Sequence, residues 1–273
     1  MACVDNGFTG RSLSEVSRYV KDVSIPYKYQ CIAVDRKRIR RLTAVLKKLP
    51  PNSRLVRHLF VWSSGTCGEE GRFFETDKNR LLIIVAPTLL SLDVSFDYVS
   101  IALTFPLPSL VDLTVHGNMS MTKPTKCTLA CYPSLRRLHW AASSGCPPGA
   151  GFLALVQKTA PHVTHLRISL STQRWTPYQP VIRELELFYG ILKRVGVART
   201  KLSSIQKLLF RPRFADSRWR QFADAADHQF VLLNPKMVPQ VDTQAEIAQK
   251  SWLATRAGTI DCWNPDDNEL YLW

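Results

Sequence analysis

The sequence predicts an α/β fold in which one short strand and one returning helix alternate along an irregular repeat, with parallel strands inside and helices outside. Two observations predict it. A phrase recurs four times: Pro87-Thr-Leu89-Leu-Ser-Leu92-Asp-Val94, Pro108-Ser-Leu110-Val-Asp-Leu113-Thr-Val115, Pro133-Ser-Leu135-Arg-Arg-Leu138-His-Trp140 and Pro161-His-Val163-Thr-His-Leu166-Arg-Ile168. Copies without the proline stand at Val56-Arg-His-Leu59-Phe-Val61 and Ile205-Gln-Lys-Leu208-Leu-Phe210. Between the copies the apolar spacing changes to that of helices.

Each copy is expected to be one strand, because the central leucine and the apolar residue two places on share a face while the residues beside them point to the other. The central leucines fall at 59, 92, 113, 138, 166 and 208, so the spacing runs from 21 to 42 residues. These values surround the roughly 20–29 residues of a leucine-rich repeat, which makes the expected architecture an irregular leucine-rich-repeat solenoid. Helices are expected over Asn79 to Val85, over Phe152 to Lys158, and on the stripe Val181, Leu185, Phe188, Leu192 and Val195 between Pro180 and Gly196. Before the repeats, Leu13, Val16, Val20 and Val23 form a helical stripe ended by Ile25-Pro26, and a second helix runs from Asp35 with Ile39, Leu42, Val45, Leu46 and Leu49 inward. After them, Trp219 and Phe222 suggest a helix, Phe230 to Leu233 a strand, and Thr243-x-x-Glu246 a capping box opening a helix that ends before Gly258. The expected organisation is a helical entry region (1–50), the solenoid (51–213) and a mixed C-terminal cap (214–273) that shields the last apolar face.

With 273 residues, 45% of them hydrophobic, the chain can bury a sizeable core. The first ten residues hold Asp5, Asn6 and Gly7 where an export signal needs an apolar run, and the longest apolar stretch, Leu81 to Leu90, is broken by Pro87 and is too short to span a bilayer. No membrane association is expected, and the seven scattered cysteines fit reduced thiols in the cytoplasm or nucleus. The net charge of +14 is uneven: residues 1–61 carry thirteen Lys/Arg against four Asp/Glu, whereas residues 242–273 carry two against six. Such asymmetry steers acidic partners without specifying a fold.

Several segments in order resemble the F-box-like, leucine-rich-repeat-like proteins of mushroom-forming fungi. Ser14-Glu-Val-Ser-Arg-Tyr-Val-Lys-Asp-Val-Ser-Ile-Pro26-Tyr-Lys-Tyr29 is similar to the last F-box helix and its exit strand. The likeness continues through Arg54-Leu-Val-Arg-His-Leu-Phe-Val61, the proline-leucine phrases, Phe230-Val-Leu-Leu-Asn-Pro235, Trp252 and Cys262-Trp263. The leucine-proline-rich helix that opens an F-box has no counterpart before Met1-Ala-Cys-Val-Asp5, so the expectation is either a truncated or fragmentary F-box or one that has lost adaptor docking. The resemblance implies a substrate receptor of an SCF ubiquitin ligase. Its repeats hold a protein client, and an intact F-box upstream docks on the adaptor subunit; the receptor itself catalyses nothing.

The outward strand positions are the candidate partner-binding residues: Asp93 and Asp112 on the second and third strands, then Arg137, His139, His165, Arg167 and Lys207 as a basic stripe on the fourth to sixth. Arginine there suits bidentate contact with carboxylates of an acidic partner. A generic solvated sheet face accounts for the same residues. The run Arg36, Lys37, Arg38, Arg40 and Arg41 is a candidate phosphate- or nucleic-acid-binding face, and equally the solvated side of an amphipathic helix. No catalytic residues are expected: the chain has no Gly-x-Ser-x-Gly elbow, and Gly65-Thr-Cys-Gly68-Glu-Glu-Gly71 lacks a phosphate-loop lysine. Neither a metal nor another cofactor is expected, since Cys127 and Cys131 with His116 and His139 lack a completing ligand pair and read as structural thiols.

Overall fold

In three of the four phrases the proline occupies the second position of a tight turn, where its fixed φ is already correct; at Pro87 the turn instead closes from Thr88 N–H to Val85 O at 3.0 Å, continuing the preceding helix. Leu110 N–H donates to Leu107 O, Leu135 N–H to Tyr132 O and Val163 N–H to Ala160 O, each at 3.2 Å, around Pro108, Pro133 and Pro161. The turn delivers the chain into a strand and buries Leu107, Leu110, Tyr132, Leu135, Ala160 and Val163. The residue after the proline also ties neighbouring repeats: Thr88 Oγ1 donates to Val56 O at 3.0 Å and Ser109 Oγ to Pro87 O at 2.8 Å.

The computed structural model describes residues 15–20, 23–24, 29–63, 69–96, 101–102, 106–117, 119–120, 131–142, 152–170, 204–211, 230–233, 244–257 and 263. In chain order the elements are β1 (Cys31–Asp35), α1 (Arg36–Lys48), β2 (His58–Ser63), α2 (Glu69–Val85), β3 (Ser91–Phe96), β4 (Ile101–Ala102), β5 (Asp112–His116), β6 (Met119–Ser120), β7 (Arg137–Ala142), α3 (Phe152–Thr159), β8 (His165–Leu170), β9 (Lys207–Arg211), β10 (Phe230–Leu232) and α4 (Gln244–Ala257). Eight strands form one sheet in the order β1-β2-β3-β5-β7-β8-β9-β10, every pair parallel. β4 and β6 pair separately, also in parallel.

The six leucines are register partners: Leu59 with Leu92, Leu92 with Leu113, Leu113 with Leu138, Leu138 with Leu166, and Leu166 with Leu208. Ile32 extends the row on β1. Val34, Val61, Val94, Val115, Trp140, Ile168 and Phe210 form a second buried row two residues on. At the entrance to the strands a single backbone pattern repeats. The carbonyl of Gln30 accepts the N–H groups of Arg57 and His58; those of Arg57, Leu90, Val111, Arg136 and Thr164 accept the corresponding pair from the next strand, all at 2.8–3.1 Å. Constant backbone pairing despite variable spacing means that the length differences are absorbed outside the strands.

Among the described residues, three helices cover the leucine face. Ile39 and Leu46 of α1, Phe74, Leu81, Leu82 and Val85 of α2, and Phe152, Leu153 and Val156 of α3 share one buried cluster with the ladder. Asp35 Oδ1 caps α1 by accepting the Arg38 N–H at 2.8 Å. α2 begins at Glu69, well before the expected Asn79, because the helix incorporates Glu69 to Gly71 of the segment expected to be a loop. At the end of β5, Gly117 has φ 121°, in the region that favours glycine. Its carbonyl accepts the indole N–H of the fully buried Trp140 at 3.0 Å.

β1 is not expected from the sequence. Cys31-Ile-Ala-Val is too short and too uniformly apolar for its period to identify it, and only pairing with β2 makes it a strand. Residues 15–16, 18–20 and 23–24 are helical, as the stripe before Pro26 predicts. One continuous sheet crosses both boundaries expected from the sequence, at residues 50 and 213. The helices expected over Val181 to Val195 and at Trp219 and Phe222, the residues Cys127 and Thr243, and the glycine segment from Gly65 to Gly68 lie outside the described residues.

Candidate interaction face

Strand alternation sends all seven candidate residues to the face opposite the leucines. Asp112, Arg137, His165 and Lys207 are consecutive register partners in one row, continuing His58 and Ser91. Asp93, His139 and Arg167 lie in the next row with Phe60, Thr114 and Leu209. A third row, Ser95, His116, Ala141, Ser169 and Arg211, completes the face. The sequence reading stopped two residues after each leucine and so missed this row; continuing the alternation one position would have found it.

The centre of this face is not solvated. His139 is 2% exposed and Arg167 is fully buried, which departs from the expected solvent-facing stripe. His116, Ser169 and Arg211 are buried beside them. Asp93 Oδ1 lies 3.0 Å from His116 Nε2, a close electrostatic contact without the angles of a hydrogen bond. His116 meets His139 edge to face at 5.9 Å. Ser169 Oγ accepts from Arg167 Nε at 3.4 Å and lies 3.1 Å from His139 Nε2. Burial, reinforced by the charges of Arg167 and Arg211 and by His116, drives the His139 pKa well below its ordinary value, so the ring is neutral and Nε2 can accept the serine hydroxyl.

The outer row is more open. Arg137 grips Asp112 across the strands, Nη2 donating to Oδ2 at 2.6 Å and Nε to Oδ1. Two residues expected to receive a partner's charges thus neutralise each other. Lys207 Nζ donates to Trp263 O at 3.1 Å, and the Trp263 ring meets His165 edge to face at 5.9 Å.

The C-terminal segment supplies the cover the sequence did not reveal. α4 lies over β2 and β3. Trp252 stacks on Phe60 at 5.6 Å, and Phe60 on Trp62 at 5.2 Å. Phe60, Leu209, Leu233, Ala248, Trp252 and Trp263 make a second buried cluster, separate from that of the leucines. Arg256 Nη1 donates to His58 Nδ1 at 3.0 Å, with Ser91 Oγ 2.9 Å from the same nitrogen. A guanidinium has no acceptor, so Nδ1 carries no proton. Burial first, and then the Arg256 charge, lower the His58 pKa to about 4.

The basic run does not join this face. α1 packs on the leucine side through Ile39 and Leu46, while Lys37, Arg38, Arg40, Arg41, Lys47 and Lys48 are exposed and Arg36 is half-buried. Cys131 is buried. Among the described residues no group of three His, Cys, Asp or Glu side chains is placed to hold a metal, and no helix is long and apolar enough to cross a membrane. Comparison with family profiles, curated proteins and solved structures finds no match.

Proposed function

We propose that the chain is a protein-binding array of irregular leucine-rich repeats, the client-holding part of an F-box-type ubiquitin ligase receptor. One observation carries the repeat reading: six leucines spaced 21 to 42 residues apart occupy consecutive register positions on parallel strands. Equivalent strands stacked beside one another build an extended sheet face, the surface on which repeat proteins hold partners. The ligase assignment rests on the resemblance of residues 14–29, 54–61 and 230–235 to the F-box-like family. Its mechanism is proximity: the array holds a client beside a ubiquitin-charged enzyme bound to the same scaffold. The test is capture of the purified adaptor subunit by the full-length gene product. Retention at near-stoichiometric amounts supports the assignment, and no retention removes it.

The exposed cations of α1 favour a second reading, binding to nucleic acid or another acidic partner independent of ubiquitination. The helix holds seven Lys/Arg and no acidic residue, with three of the cations at its N-terminal end, where the helix dipole disfavours them. A contact with phosphates offsets that cost. In a filter-binding assay, replacing Arg38, Arg40 and Arg41 with alanine should flatten the log–log salt slope by about 3. No affinity for duplex or single strands at low salt eliminates this reading.

A further inference from the structure

We infer that the sheet face opposite the leucine ladder is a helix-docking surface, held here by the chain's own α4, and that its partner is a helix carrying a small residue, an aromatic and a cation at successive four-residue steps. The inference rests on the protein-binding reading and adds the class of partner and the site.

The occupant defines the chemistry. Ala248, Trp252 and Arg256 recur at intervals of four and so form one stripe of α4. Ala248 is fully buried, and a methyl side chain at that point lets the helix backbone approach the sheet. One turn on, Trp252 lies stacked on Phe60, whose other neighbour is Trp62, so the face supplies an aromatic platform at β2. One further turn on, Arg256 donates to His58, a histidine that burial and this same cation keep neutral and able to accept. Anchors at regular helical steps on a complementary surface are the signature of helix-in-groove recognition.

α4 is also placed as a displaceable element. It follows β10, the last strand at one edge of the sheet, yet it lies over β2 and β3 near the other edge. It does not belong to the repeating strand-helix succession, and its side chains join the second cluster, not the ladder's. Opening it leaves the ladder, α1, α2 and α3 packed as they are. Elements that pack outside the main core open at lower free energy than the central strands. A client helix with the same stripe would compete for the same anchors.

Two measurements on the full chain test this. Native-state hydrogen exchange should show α4 amides opening sub-globally, with protection at least about tenfold below that of β3 and β5. Equal protection in α4 and the sheet overturns the proposal, since the helix would then leave only when the whole protein unfolds. A fluorescent synthetic peptide with the sequence of residues 244–257 should bind the Trp252→Ala chain about tenfold more tightly than the unaltered chain, because the resident helix no longer competes. The same peptide with its own tryptophan replaced by alanine should not bind. If Trp252→Ala does not fold, Arg256→Ala opens the same helix by removing the His58 contact. Absence of peptide binding to a folded variant overturns the proposal. Adaptor capture is assigned to the F-box and not to α4, so failure of that capture would remove the ligase assignment and leave this docking face standing.

Discussion

Replacing Leu113 with alanine tests the ladder at its centre. Leu113 is fully buried, with Leu92 and Leu138 as its register partners on either side. The change removes three carbons from the interior, about 2.4 kcal/mol at roughly 0.8 kcal/mol per methylene. Flanking strands pinned by backbone pairing cannot close the gap, so the cavity raises the loss to about 3–4 kcal/mol. A domain of ordinary stability holds about 5–15 kcal/mol, so roughly a fifth or more would be lost. The melting temperature should fall by about 10 °C, at roughly 2–4 °C per kcal/mol for a chain of this size. Urea denaturation followed by far-ultraviolet circular dichroism reads the loss as a lower midpoint at unchanged slope. Thr114→Ala is the control: the next residue points to the other face and is half-buried, so its change should stay within about 1 kcal/mol. A Leu113→Ala loss under about 1 kcal/mol, or equal losses at the two positions, would refute the inward placement of the leucine row.

Two further perturbations probe the opposite face and the strand ends. Unfolded His58 takes up a proton near 6.5 and folded His58 only near 4, so between these values the unfolded chain binds more protons and stability is lost as the pH is lowered. His139 is shifted in the same direction by its burial. For the partly exposed His58 ring the loss should not exceed about 2 kcal/mol after screening; His58→Gln should reduce the difference in urea midpoint between pH 7 and pH 4.5, and an unchanged difference would exclude His58 as a source. Gly117→Ala should cost about 1–2 kcal/mol, because φ 121° forces the new Cβ against the backbone. A denaturation midpoint that does not move would count against that geometry.

The strands were legible because their signal is local. Leu138-His139-Trp140 encodes its two faces by alternation, and Pro133 encodes the turn that leads into them. The helix from Asp35 was legible for the same reason, through a capping side chain and apolar steps of three and four. β1 was not, because Cys31 to Val34 carries no period and becomes a strand only beside β2. The length of α2 was also hidden, since the glycines and glutamates near residue 70 suit a loop as well as a helix.

The seven candidate residues share a face, as alternation requires, yet their burial could not be read from it. An outward arginine on an exposed strand and one beneath a covering layer have the same sequence pattern; Arg137 is partly exposed and Arg167 fully buried. The sequence by itself determined the leucine ladder and the two-faced strands, because period-two alternation and proline turns act over a few neighbouring residues. Only the tertiary structure decided that α4 and Trp263 return over the second face. That choice depends on Trp252 meeting Phe60 and Arg256 meeting His58, contacts between opposite ends of the chain that no local pattern encodes.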